Sequence, residues 1–197
     1  IAQIKKQNKW ALYDQNNQCL GSFDWVITAN PPLQAFELLN TNASYAGNLN
    51  KVRMLACFSL MLGFDQMMEL DFDAALVRDK DISWISVMHS KPGRPASFGL
   101  LVHATNRWAN EHLEEPEANI TDHLVKTLAS VLPNMPKPKH IDLHRWRYAN
   151  IAKQKGERSF LDASGGLASC GDWFIQGRVE AAFESALDLA HKLEKFL

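Results

Sequence analysis

The chain has 197 residues, 46% of them hydrophobic and 22% charged, with a formal net charge of −1. That fits one large soluble globular domain or two small ones, and a near-neutral charge with no basic stripe argues against nucleic acid as a partner. No apolar run approaches the ~20 residues of a membrane span, and no signal peptide is visible. Cys19, Cys57 and Cys170 are scattered and form no C-x-x-C pair, which points to a reducing compartment, the cytoplasm. The opening IAQIKKQNKW has no start-like character, so sequence upstream of Ile1 is expected.

In chain order, Trp10–Tyr13 and Cys19–Leu20 flank DQNNQ, and an Asn-rich centre predicts a hairpin. Asp24–Ala29 (DWVITA) is an apolar β-branched run, which predicts a strand covered on both faces. PPLQAFELL follows; prolines at a first turn predict a helix, with Leu33, Phe36 and Leu39 inward. After about Asn50 come VRMLACFSLMLGF, DISWISVMHS and SFGLLVHA, separated by turns such as Lys91–Pro95. Short strands with tight links predict an antiparallel sheet. Residues 105–133 read as two helices, with Thr105 as N-cap and Ile120, Leu124, Leu128 and Leu132 in one apolar row. NMPKPK reads as a rigid connector, HIDLHRWRYA as a strand and NIAKQKGERS as a loop. A short strand, a glycine turn and a long amphipathic helix close the chain. The fold class is therefore mixed α+β and α/β, with antiparallel material at 51–150 between α/β segments at 1–50 and 151–197.

The closing segment carries the main chemical signal. Leu167–Cys170 is short and apolar, Gly171 permits backbone conformations closed to other residues, and Asp172 follows at the turn. A helix beginning near Gly177-Arg178 presents free N–H groups and the positive end of its dipole. A phosphate or an electron-rich flavin carbonyl suits that end, and the Asp172 carboxylate suits sugar or ribitol hydroxyls. On residue chemistry alone, Asp172 reads first as a turn cap, since many strand–turn–helix junctions bind nothing. The Gly-x-Gly-x-x-Gly loop that carries most dinucleotide contacts is nowhere in these residues.

Alternation along HIDLHRWRYA puts His140, Asp142, His144, Trp146 and Tyr148 on one face and Ile141, Leu143, Arg145 and Arg147 on the other. An aromatic face of this kind lines a pocket or an internal interface. His140 and His144 are four apart on a strand, which is not the helical two-His clamp, so no metal is expected. Trp84 is expected beside Ile82, Ser86 and Met88 as pocket wall or core. His103 closes an apolar strand and reads as structural. His89, Lys91 and Arg94 crowd one turn, which is either solvated or attractive to an anionic dinucleotide substrate. No Gly-x-Ser-x-Gly frames a hydrolase nucleophile.

CGDWFIQGRVEAAFESALDLA, read together with HRWRYA, WISVMHSKPGR and FDWVITANPPLQAFELL, resembles the renalase-like branch of the FAD-dependent amine-oxidase-like superfamily. The resemblance covers nearly the whole chain and implies FAD as cofactor and a reduced nicotinamide or amine-like substrate. It implies that residues 1–50 and 151–197 belong to a Rossmann-like FAD-binding domain and residues 51–150 to an antiparallel substrate domain inserted in it. Gly171 and Asp172 match the family's Gly-Asp pair at the ribitol–phosphate region. Gly177, Arg178, Val179 and Glu180 match the helix start facing the flavin pyrimidine end. Trp84, His144, Trp146 and Tyr148 become substrate-pocket candidates. Ser185-Ala186 departs from the family's Ser-Gly, which bears on close helix packing. The family's N-terminal β-α-β unit has no counterpart in these residues, so tight FAD retention and activity are not expected of them alone. Sheet edges left open by it are expected either to mate with a second chain or to be covered by a further segment of this one. The rival reading is a non-catalytic interaction domain that kept the fold and lost the cofactor.

Overall fold

The computed structural model describes residues 1–39, 46–49, 51–94 and 97–197. The chain divides into two compact units, one made of Ile1–Met54 and Asn150–Leu197 and the other of Leu55–Ala149.

In the first unit, strands β1 (Gln3–Lys6), β2 (Trp10–Tyr13) and β3 (Cys19–Phe23) form an antiparallel sheet in that order. The DQNNQ hairpin forms because the Asp14 carboxylate accepts hydrogen bonds from the N–H groups of Asn16 and Gln18, while Asn17 takes a left-handed conformation. A second sheet has the order β10 (Phe160–Asp162), β11 (Leu167–Ser169), β4 (Val26–Thr28), with β11 and β4 parallel. The strand predicted at Asp24–Ala29 is shorter than expected and is not covered on both faces. Val26 and Thr28 are buried, but Ile27 between them is 50% exposed. β4 ends the sheet among the described residues, and its far edge has no strand partner there. Helix α1 (Pro32–Leu39) buries Pro32, Ala35 and Leu39, whereas the predicted inward Leu33 is exposed. α2 (Ala46–Leu49) is a single turn. Helix α5 (Val179–Leu193) closes the unit and buries Ala181, Ser185, Leu189 and Leu193. The opposite side of α5 leaves Val179, Phe183 and Leu187, spaced by one turn, exposed.

The second unit is a five-stranded antiparallel sheet. Its order is β6 (Ala74–Leu76), β7 (Ile82–Val87), β8 (Phe98–Ala104), β5 (Leu55–Phe64), β9 (His140–Asn150). Helices α3 (Asn106–Glu111) and α4 (Glu117–Val131) cover one face. Thr105 caps α3 as predicted, its hydroxyl accepting from the Trp108 N–H. Ile120, Leu124 and Leu128 are fully buried against the sheet. The row stops one residue earlier than predicted, because Leu132 is the C-cap and only half-buried. The tight turn after β7 is described through Arg94; Pro95 lies outside the described residues. Phe58, Leu60, Ile85, Leu100 and Val102 complete the core, each fully shielded from water. At ~25 cal/mol per Å², such a cluster is the dominant favourable term for the unit.

In the second unit, strand alternation fails between Ile82 and Trp84. Ile82 was expected on Trp84's face, but the β7–β8 register shifts between them. The bulge sends Ile82 into the core with Ala104 and leaves Trp84 on the other side, opposite His103.

Candidate functional site

Two regions carry the predicted site residues, one in each unit. In the first unit, β11 and β4 run parallel, and their C-terminal ends carry Gly171-Asp172 and Asn30 respectively. Ligands of α/β sheets gather at such strand ends. A single 3-10 turn, Asp172–Phe174, follows, and the N–H groups of Ile175 and Gln176 both donate to Asp172 O at 2.8 Å. The Trp173 indole is buried and donates from Nε1 to Asn30 O at 3.1 Å, tying the two strand ends together.

The turn is packed closely enough to demand its glycines. A Cβ on Gly171 would stand 2.5 Å from Trp173 Nε1. Gly171 adopts a φ of +159°, a conformation that other residues rarely take, as expected, and the indole beside it is a second, independent requirement for glycine. A Cβ on Gly177 would collide with the Asn150 side chain and stand 2.7 Å from Ile151 N. Gly177 N donates to Ile151 O at 3.1 Å, which locks this approach.

Asp172 is half-buried. Burial raises its carboxyl pKa, against the opposing pull of hydrogen bonds from the Trp173 and Asp172 backbone. Arg178 is the N-cap of α5 and supplies no side-chain cap. Val179 and Glu180 are exposed at the helix start, and the N–H groups of the first turn of α5 have no intrahelical acceptor. Two residues that sequence reasoning missed complete the region. Ser185 is fully buried; its hydroxyl accepts from Gly171 N at 2.9 Å and donates to Arg158 O at 2.6 Å. The Ser-Ala departure therefore leaves the structural serine in place, and Ala186 is exposed. Asn30 Oδ1 is buried without a hydrogen-bond partner, an acceptor that a bound donor would satisfy. An orphaned acceptor cannot be seen before the strand ends are placed.

In the second unit, the sheet face away from the helices gathers all four predicted pocket residues. Trp84 pairs with His103, and His103 with Ser59. Trp146 Nε1 donates to Ser59 Oγ at 3.0 Å. That bond fixes the open face of β9 as the one bearing His144, Trp146 and Tyr148, and the His144 and Trp146 rings lie 4.1 Å apart. The next positions inward are Met61, Leu101 and Ser86. His103 is half-buried, and burial together with the nearby Lys91 charge lowers its pKa. Burial pushes the Cys57 thiol up to about 11. Among the described residues, no group of three or more His, Cys, Asp or Glu side chains is placed to hold a metal, and no helix is long and apolar enough to cross a membrane.

No family profile matches the chain. Renalase from Mus musculus is 23% identical over 206 residues, an alignment covering 98% of this chain and 60% of the renalase. The chain is renalase-like. Its fold is similar to about half of each of two solved oxidases. A protein from Exiguobacterium assigned as a protoporphyrinogen oxidase superposes with a TM-score of 0.72 at 14% identity, over 95% of this chain and 46% of that one. Cyclohexylamine oxidase from Brevibacterium oxydans superposes with a TM-score of 0.63 at 14% identity, over 98% and 48%. The chain thus spans less than two thirds of the relatives it matches.

Proposed function

We propose that this renalase-like chain forms part of an FAD-dependent oxidoreductase acting on a reduced nicotinamide or amine-like substrate, with the first unit holding cofactor and the second holding substrate. The observation that carries the reading is the paired end of β4 and β11. There, a cradle closed to any Cβ, the buried orphan acceptor of Asn30, a half-buried carboxylate and an uncapped helix start lie in one unit. Those groups fit a polyol joined to an anion: Asp172 and Asn30 Oδ1 accept from hydroxyls, and the α5 N–H groups of Val179 and Glu180 face an electron-rich carbonyl or phosphate. When bound, FAD supplies the hydride chemistry. The protein's own part is to hold and orient, and on the open sheet face Trp84, His144, Trp146 and Tyr148 offer flat aromatic surface to a planar substrate.

The adenosine end finds no glycine-rich loop in these residues. The free edge of β4 and the exposed row Val179, Phe183, Leu187 on α5 are where further sheet and helix, from flanking sequence or a second chain, would complete the cofactor domain.

The test is a titration with FAD of the protein with any flanking sequence retained, read by flavin absorbance. Saturable binding is expected. Asp172→Asn should weaken it roughly ten- to a hundredfold, as the loss of hydrogen bonds to a carboxylate implies. Because hydroxyl donors favour the ionised form, wild-type affinity should fall as pH drops through the raised Asp172 pKa. Protein that stays colourless at saturating FAD overturns the assignment in favour of an interaction domain without cofactor.

A further inference from the structure

The open face of the second unit carries a cation, Lys91, that no carboxylate among the described residues pairs with. Beyond β7 the chain turns back, with Ser90 Oγ donating to Val87 O at 3.0 Å and Lys91 N to Met88 O at 3.4 Å. The half-buried Lys91 then points its ammonium at Met88 Sδ, 3.3 Å away. A thioether is a weak acceptor and no counter-ion. Lys91 takes part in none of the ion pairs among the described residues. Asp142 shares the face by alternation along β9 and takes part in none of these ion pairs.

Beside the ammonium, Met88, Met61, Leu101, Gly63 and His140 line an apolar cavity of about 280 Å³. Lys91 is also close enough to His103 for its charge to oppose protonation of that imidazole. At neutral pH, then, the face presents aromatic and thioether surface with the Lys91 ammonium at its margin. An ammonium drawn from bulk water onto such a surface gains most from an anion placed beside it.

We propose that Lys91 selects substrates in which a carboxylate or phosphate is joined to a planar or apolar body, the body lying on the open face and the anion meeting the Lys91 ammonium. This rests on assigning the open face to substrate. Lys91 is a specificity residue, outside the reacting atoms.

Three probes sharing one planar ring separate the possibilities: reduced nicotinamide mononucleotide, N-(carboxybenzyl) dihydronicotinamide and the uncharged N-benzyl dihydronicotinamide. Binding is read by quenching of tryptophan fluorescence, which needs no flavin, so its failure is distinct from a missing flavin spectrum. Wild type should prefer one or both anionic probes roughly ten- to a hundredfold, the range of a charge-assisted contact. Preference for the first alone identifies phosphate as the anion, and for the second alone carboxylate. Lys91→Met should abolish the preference while leaving the melting temperature and the binding of the uncharged probe unchanged, and Lys91→Arg should keep it. No preference in wild type, no binding of any probe, or a preference that survives Lys91→Met overturns the proposal.

Discussion

The glycine turn of the first unit and the open sheet face of the second are built on opposite principles. Around Gly171 and Gly177 the backbone itself makes the shape, and neighbours stand where a Cβ would go. On the open face the backbone is an ordinary antiparallel ladder, and the shape comes from Trp84, Met61, His103 and Trp146 standing on it. A backbone-built site tolerates almost no substitution at its glycines but leaves a short local signature. A side-chain-built site is tolerant position by position, and its members are scattered over strands far apart in the chain.

The largest expected effect breaks the first region. Gly177→Ala forces a methyl group onto Ile151 N and the Asn150 side chain. The displaced element is backbone, so the loss should be about 3 kcal/mol, at the upper end of overpacking costs. Urea unfolding measures it, and a change within about 0.5 kcal/mol, as for an ordinary surface site, would mean the turn relaxes freely.

A smaller effect is expected on the open face. Trp146→Phe removes the indole N–H that donates to Ser59 Oγ, a hydroxyl in a residue 6% exposed. Stability should drop by about 1 kcal/mol. Adding Ser59→Ala should recover part of that loss, since the unsatisfied hydroxyl goes with it. Strict additivity in the double variant would show that the bond contributes nothing.

The smallest perturbation leaves stability alone and sharpens the electrostatic side of the comparison. Cys19 is exposed, whereas burial pushes the Cys57 thiol up to about 11. A thiol-specific disulfide reagent at pH 8 should modify Cys19 first and Cys57 far more slowly, because the thiolate is the reacting form. Cys57 modification should accelerate as pH rises toward its pKa. Equal rates at pH 8 would mean that the open face is far wetter than the fold implies.

The sequence by itself determined the local elements whose cause is local. Asn-rich residues made the hairpin, Thr105 the start of α3, the four-residue apolar row the buried side of α4, and Gly171-Asp172 with Gly177 the turn before α5. Each depends on neighbours within a turn or two, which periodicity and capping express directly. What needed tertiary structure was everything set by pairing. β4 read as doubly covered, yet it lies at a sheet end with Ile27 exposed, because an apolar run states burial preference but not which neighbours are present. Trp84 was expected beside Ile82 until a bulge separated them. Ser185 and Asn30 gained their roles only when Gly171, Arg158 and Trp173 arrived from distant segments. The open face itself exists because four strands align Trp84, His103, Ser59 and Trp146 in one row. Register between strands is a long-range choice, and a one-residue slip would have sent each of those side chains to the opposite face.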